Sequence, residues 1–127
     1  MRSRLLRALL ASTALTLVFL AGADRLRAVS GGVVISQVYG AGGNTGAVLK
    51  NDYIELFNRG TSSVSLAGMS LQYASSTGSS WSVNALPAVT LAPGQYFLVQ
   101  QSGGANGAAL PTPDHTGTLS MAAGAGK

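Results

Sequence analysis

Between Tyr53 and Phe57 the side chains Ile54 and Leu56 alternate with Tyr53, Glu55 and Phe57, the two-residue period of a β-strand. Asn58-Arg59-Gly60 follows as a turn. A short piece at Val64–Leu66 then leads through Leu66-Ala67-Gly68 into a second alternating run, where Met69, Leu71 and Tyr73 are set against Ser70, Gln72 and Ala74. Further strands are predicted at the β-branched stretch Val33–Tyr39, at Ser80–Val83 as an edge piece carrying the one tryptophan, Trp81, and at Val89–Leu91. Ala92-Pro93-Gly94 fits a type II turn, since proline presets one φ and glycine accepts the positive one. Tyr96–Gln101 is the last full strand. Leu119-Ser120-Met121 looks like the start of another, with Ala122–Lys127 as the turn after it. No stretch after Ala28 sustains a helical period. Short strands at intervals of about 8–12 residues predict an all-β sandwich or barrel. Burial of about a dozen such side chains, at about 1.5–3 kcal/mol each, supplies a core.

The first residues follow a different rule. Arg2, Arg4 and Arg7 precede an unbroken run of apolar and small residues from Ala8 to Gly22, and Ala21-Gly22-Ala23 offers the small-x-small pattern read by a signal peptidase. The run is shorter than the roughly 20 residues that span a bilayer. The reading is therefore a helical signal peptide, residues 1–23, cut after Ala23, with Ala28 as the alternative end and a retained anchor as the rival. Residues 24–31 form a linker, and 32–127 the sandwich domain.

Removing the leader changes the charge argument. The chain has 8 basic and 4 acidic residues. From Asp24 onward five basic residues (Arg25, Arg27, Lys50, Arg59, Lys127) face four acidic ones (Asp24, Asp52, Glu55, Asp114), a net of +1. A nucleic-acid groove needs clustered cations that release counterions, so basic composition is no argument for direct nucleic-acid binding. There is no cysteine, which excludes disulfides and thiolate metal sites.

Taken together, Asp52-Tyr53-Ile54-Glu55-Leu56-Phe57-Asn58-Arg59-Gly60 and Ser63-Val64-Ser65-Leu66-Ala67-Gly68-Met69-Ser70-Leu71 closely resemble the lamin tail domain. The resemblance implies an immunoglobulin-like β-sandwich. It also implies structural roles for Asp52, Ile54, Glu55, Leu56, Asn58, Gly60, Leu66, Gly68, Pro93 and Gly94. Bacterial copies of this domain are attached to secreted proteins, notably extracellular nucleases of the endonuclease/exonuclease/phosphatase family. In that family a Gly-Lys turn leads into a further strand, so the chain is expected to lack its final strand and to be an N-terminal fragment, with a naturally short domain that leaves this last position open as the rival reading. An unpaired inner edge would then make it marginally soluble.

Candidate chemistry is sparse. The Gly40–Gly46 loop follows a strand, but Thr45 breaks G-x-G-x-x-G, no Gly-Lys-Ser/Thr follows, and the next element is a strand rather than a helix. A flexible connection is expected. Asp52 and Glu55, three apart on a strand, face opposite sides and do not converge as an acid/base pair. Glu55 is expected to bind a neighbouring turn. Asp52 and Asn58, with loop carbonyls, are weak candidates for a calcium site. His115, the one histidine, stands beside Asp114 in a proline-bounded loop, which reads as an exposed connection rather than part of a Ser-His-Asp system. One histidine and four carboxylates do not furnish the multi-ligand site of a hydrolytic metalloenzyme. Trp81, Tyr73, Tyr96 and Phe97 are candidate stacking surfaces, with packing the more ordinary role.

The expected function is a non-catalytic, exported interaction or positioning module with no cofactor. The alternatives are the start of a secreted DNA-hydrolysing nuclease whose catalytic domain lies beyond Lys127, and a cell-envelope or carbohydrate binder. Expected partners are such a catalytic domain or cell-surface components, and membrane contact is expected only through the leader before cleavage.

Overall fold

In the computed structural model, which describes residues 32–127, the alternating run around Ile54 is the middle of the molecule. It forms β2 (Asn51–Asn58), flanked by β1 (Val33–Tyr39) and β7 (Tyr96–Gly103), with β8 (His115–Thr116) beyond β7. The sheet order is β1-β2-β7-β8. β1, β2 and β7 pair antiparallel, and β8 joins β7 in parallel. Two short antiparallel ladders face this sheet: β3 (Val64–Ser65) with β6 (Thr90–Leu91), and β4 (Ser70–Tyr73) with β5 (Ser82–Ala85). The architecture is all-β, an immunoglobulin-like sandwich with open sheets. The expected leader and linker, 1–23 and 24–31, lie outside the described residues.

The core follows from the two-residue period. Ile54 and Leu56 of β2 and Phe97 and Val99 of β7 point to one side. There they meet Leu66, Leu71, Leu91, Leu119 and Met121 from the facing segments. Tyr53 and Phe57 fall on the opposite side, where Tyr39 stacks on Tyr53 at 5.7 Å between ring centroids and Phe57 tilts against Tyr96 at 4.5 Å. Two turns have the geometry that their residues suggest. Met69 N–H bonds to Leu66 C=O across Gly68 (φ 76°), and Gln95 N–H bonds to Ala92 C=O across Gly94 (φ 76°).

Several expectations are corrected. Trp81 precedes β5 instead of lying in it, because the strand starts one residue later at Ser82. Met69 is exposed and Ala74 buried, the reverse of the expected phase. The alternation ends at Tyr73, and Ala74 is enclosed where it exchanges main-chain hydrogen bonds with Lys127. The connection containing His115 carries a strand, β8. Its start is held by Asp114, whose N–H bonds to Leu98 C=O while its carboxylate accepts from Leu98 N–H.

The Gly40–Gly46 loop was expected to be a flexible connection and is instead tightly fastened. Gly43 N–H bonds to Leu49 C=O, while both the main chain and the side chain of Asn106 donate to Gly43 C=O. Gly43 itself has a φ of 76°, and a Cβ there would run into the backbone of Gly104. Only glycine fits such a close approach of two main chains. Gly43→Ala is therefore expected to destabilise the fold by about 2–3 kcal/mol, read by urea denaturation. A loss under about 0.5 kcal/mol would mean that the Gly104 segment simply yields.

Candidate functional site

The same alternation that buries Ile54 and Leu56 brings a polar residue onto the inner face at each end of β2. Asp52 is 3% exposed and Asn58 fully buried. A buried carboxylate needs strong partners, and Asp52 has two. Gly42 N–H donates to Oδ1 at 2.6 Å, and Met121 N–H donates to Oδ2 at 2.7 Å. The short distances suit charge-assisted hydrogen bonds. One side chain thereby fastens the loop after β1 and the segment near the C-terminal end of the chain to the same strand.

Gln101 does the same from β7, where it follows Phe97 and Val99 on the inner face. Its Oε1 accepts from Leu119 N–H at 2.9 Å, and its Nε2 donates to Asn84 Oδ1 at 3.0 Å. Leu119-Ser120-Met121, expected to begin a strand, is extended but joins no ladder. Its alternate amides are taken by the side chains of Gln101 and Asp52, and its Leu119 and Met121 side chains enter the core. Tyr73 continues the row by accepting Ala122 N–H at its hydroxyl.

At the other end of β2, Asn58 organises the turn that follows it. Its Nδ2 donates to Ser62 C=O and Leu91 C=O, and its Oδ1 accepts from Gly60 N–H. The last bond is an Asx-turn and explains why the chain reverses at Asn58-Arg59-Gly60.

The candidate chemistry does not assemble. Asp52 and Asn58 sit six residues apart along one extended strand, about 20 Å at about 3.3 Å per residue, so they do not form the shared calcium site considered from sequence. Asp52 and Glu55 face opposite sides. Glu55 binds no turn: its Oε1 accepts from Ser36 Oγ at 2.6 Å, in the neighbouring strand. The register of β1 and β2 shifts between Ile35 and Gln37, so Ser36 is the extra residue of a β-bulge and is aimed at Glu55. His115 is half-buried, and its Nε2 lies 3.2 Å from Ala85 C=O. Asp114 lies next to it in sequence but is turned to Leu98. Among the described residues, no three His, Cys, Asp or Glu side chains come together as a metal-binding group. Trp81 is 51% exposed and Tyr96 lies on the outer face, while Phe97 is core and Tyr73 is packed beside it.

Sequence reasoning overlooked Gln101 as a fastener. The signal was present, since Phe97, Val99 and Gln101 share one face of a strand and a polar residue there needs a partner. The partner itself, a main-chain amide 18 residues on, left no trace in the local pattern.

The sequence model of the Lamin Tail Domain family matches residues 27–126. Comparison with curated proteins and with solved structures gives no match.

Proposed function

Because the chain belongs to the lamin tail domain family, we propose that it acts as an exported, non-catalytic interaction and positioning module. The observation that carries this reading is the use to which the reactive side chains are put. Asp52 holds Gly42 and Met121, Glu55 holds Ser36, Asp114 holds Leu98, and His115 rests on Ala85. A general acid or base has to reach a substrate proton, and these groups are spread over the sandwich and turned to the protein itself. In the fuller form of the proposal, the module is part of a secreted hydrolase. Its resemblance to domains attached to extracellular nucleases makes a DNA-cleaving enzyme the first candidate. The module then sets where that enzyme sits, and the chemistry belongs to the enzyme.

The test is direct. The exported chain, incubated with supercoiled plasmid DNA and magnesium, manganese or calcium ions, is expected to leave the DNA intact. Nicking that disappears in His115→Ala would replace the module reading with a catalytic one. Mass spectrometry of the exported product is expected to give an N-terminus at Asp24, or at Val29 if the second processing site is used. A product that keeps Met1 and stays with the membrane fraction would make it an anchored module.

A further inference from the structure

Where the loop after β1 meets the loop after β7, the fold sets an asparagine before a glycine and uses both. Asn106 donates its main-chain N–H and its side-chain Nδ2 to Gly43 C=O, each at 3.2 Å. Gly107 follows with a φ of 93°, and a Cβ there would run into the main chain of Leu49 and Lys50. A side chain is excluded by contact and by conformation alike. Ala108 then locks the crossing from the other side. Its N–H donates to Val48 C=O, its C=O accepts from Lys50 N–H, and it forms a parallel bridge with Leu49.

Asn-Gly is also the dipeptide in which an asparagine amide is most open to attack by its own backbone. The main-chain nitrogen of the next residue and the asparagine Cγ close a five-membered ring, and glycine brings no side chain to crowd that nitrogen. Holding nucleophile and carbonyl in one molecule supplies the proximity that drives such a reaction without an enzyme. Asn44 precedes Thr45, Asn51 precedes Asp52, Asn58 precedes Arg59 and Asn84 precedes Ala85, so Asn106 alone precedes glycine. Both Asn106 and Gly107 are exposed, and Gly107 N–H makes no hydrogen bond among the described residues. Solvent therefore reaches the nitrogen that must lose a proton, and no acceptor holds it back. One neutral hydrogen bond, from Nδ2, holds the Asn106 side chain, and releasing such a bond slows the attack by about tenfold at most.

We propose that Asn106 is a site of spontaneous deamidation and that its products loosen the crossing of the two loops. The Gly107 nitrogen gives its proton to solvent base and bonds to Asn106 Cγ. The Cγ–Nδ2 bond breaks, and Nδ2 takes up a proton from water and leaves as ammonia. Water then opens the succinimide. Cleavage between Cγ and the Gly107 nitrogen leaves aspartate. Cleavage between the main-chain carbonyl carbon and that nitrogen leaves isoaspartate, with the chain running through Cβ and Cγ. In sum one water is consumed and one ammonia released, with no change of oxidation state. Either product removes the Nδ2 donor from Gly43 C=O. Isoaspartate also adds an atom to the main chain between the Asn106 Cα and Gly107, which displaces Ala108 from Val48 and Lys50. The contacts that require Asn-Gly at this crossing thus build in a one-way chemical change, and the inference does not depend on the module reading.

The exported chain is held in mildly alkaline buffer, with and without urea. Peptide mapping by mass spectrometry is expected to find a gain of about 1 Da at Asn106, with isoaspartate among the products. The folded chain should react within about tenfold of the urea-unfolded chain. Asn106→Gln, which would have to close a six-membered ring, should form at least about tenfold less product at that position. In the aged wild type, amide exchange at Lys50 and Ala108 should be faster and the β2–β7 ladder unchanged. Asn106→Asp loses the donor but keeps the main-chain length, so its Lys50 and Ala108 should stay near their starting rates. A folded chain that reacts more than about tenfold slower than the unfolded one overturns the assignment. So does a mass gain that starts at another asparagine, or one that is undiminished in Asn106→Gln. Product formed with Lys50 and Ala108 still protected overturns the loosening, and equal acceleration in Asn106→Asp overturns the part given to the added main-chain atom.

Discussion

Asp52→Ala is expected to destabilise the fold by about 3–5 kcal/mol, because a single buried carboxylate holds two chain segments that are far apart in sequence. Its bond to Gly42 spans 10 residues and its bond to Met121 spans 69. A hydrogen bond to a charged group contributes about 1.5–3 kcal/mol, and removal of the acceptor leaves two amide groups to find new partners. Alanine supplies neither acceptor. An asparagine at this position supplies one acceptor oxygen but aims an NH2 group at the other amide, so Asp52→Asn is expected to fall between the wild type and Asp52→Ala. Urea unfolding gives the loss, provided that the slope with denaturant stays constant. Amide exchange gives its location: Gly42 and Met121 should exchange faster in both variants, ahead of the β2–β7 ladder. A loss below about 1 kcal/mol for Asp52→Ala would remove Asp52 as the fastener.

How much of this was legible in the sequence depends on the range of the cause. β2 and β7 are written in their own alternation, and the turns at Gly68 and Gly94 in their own residues. Local sterics decide those features, so a local pattern reveals them. The inward placement of Asp52 and Asn58 follows from the same alternation. Their partners do not, because Met121 reaches Asp52 and Leu91 reaches Asn58 only through the tertiary fold. The extended Leu119–Met121 segment resembles a strand in sequence because its side chains alternate. Its amides nevertheless go to side chains, and no pattern of apolar residues distinguishes those two outcomes. β8 is two residues long, too short to carry a period at all. The bulge at Ser36 inverts the facing of everything after it, and Val33–Tyr39 is β-branched enough to read as a strand in either phase.

A division of labour along β2 follows from these causes. Its apolar centre joins the layers, and its polar ends decide which loops may leave and return. At the Asp52 end the carboxylate gathers amides, which are donors. At the Asn58 end two of the three side-chain bonds are made to carbonyls, which are acceptors. The two residues look alike in sequence as small polar groups near the ends of one strand, yet the partners of Asp52 are both donors and those of Asn58 mostly acceptors.

Asn58→Asp tests that division most severely. The substitution keeps the size of the side chain and the acceptor for Gly60 N–H, but it exchanges the two N–H donors for an oxygen. That oxygen faces the carbonyl oxygens of Ser62 and Leu91, now 3.0 and 2.9 Å from the amide nitrogen. The site is fully buried, so the new charge is desolvated as well as repelled. A buried charge without a partner costs about 3–5 kcal/mol, and that loss should exceed the cost of Asn58→Ala, about 2–4 kcal/mol for bonds lost without repulsion. The two variants should also respond differently to pH. Burial and facing carbonyls disfavour the carboxylate, so the folded variant holds a proton more tightly than its unfolded chain does. Stability linked to such a group rises as pH falls through the folded value toward the unfolded one. Lowering pH from about 7 to about 4 should therefore narrow the gap between Asn58→Asp and Asn58→Ala, since the protonated acid regains one donor. Comparison of the two variants at each pH removes the response of the rest of the chain. If Asn58→Asp unfolds within about 1 kcal/mol of the wild type at neutral pH, or if the gap widens in acid, donation to the two carbonyls is not what Asn58 contributes.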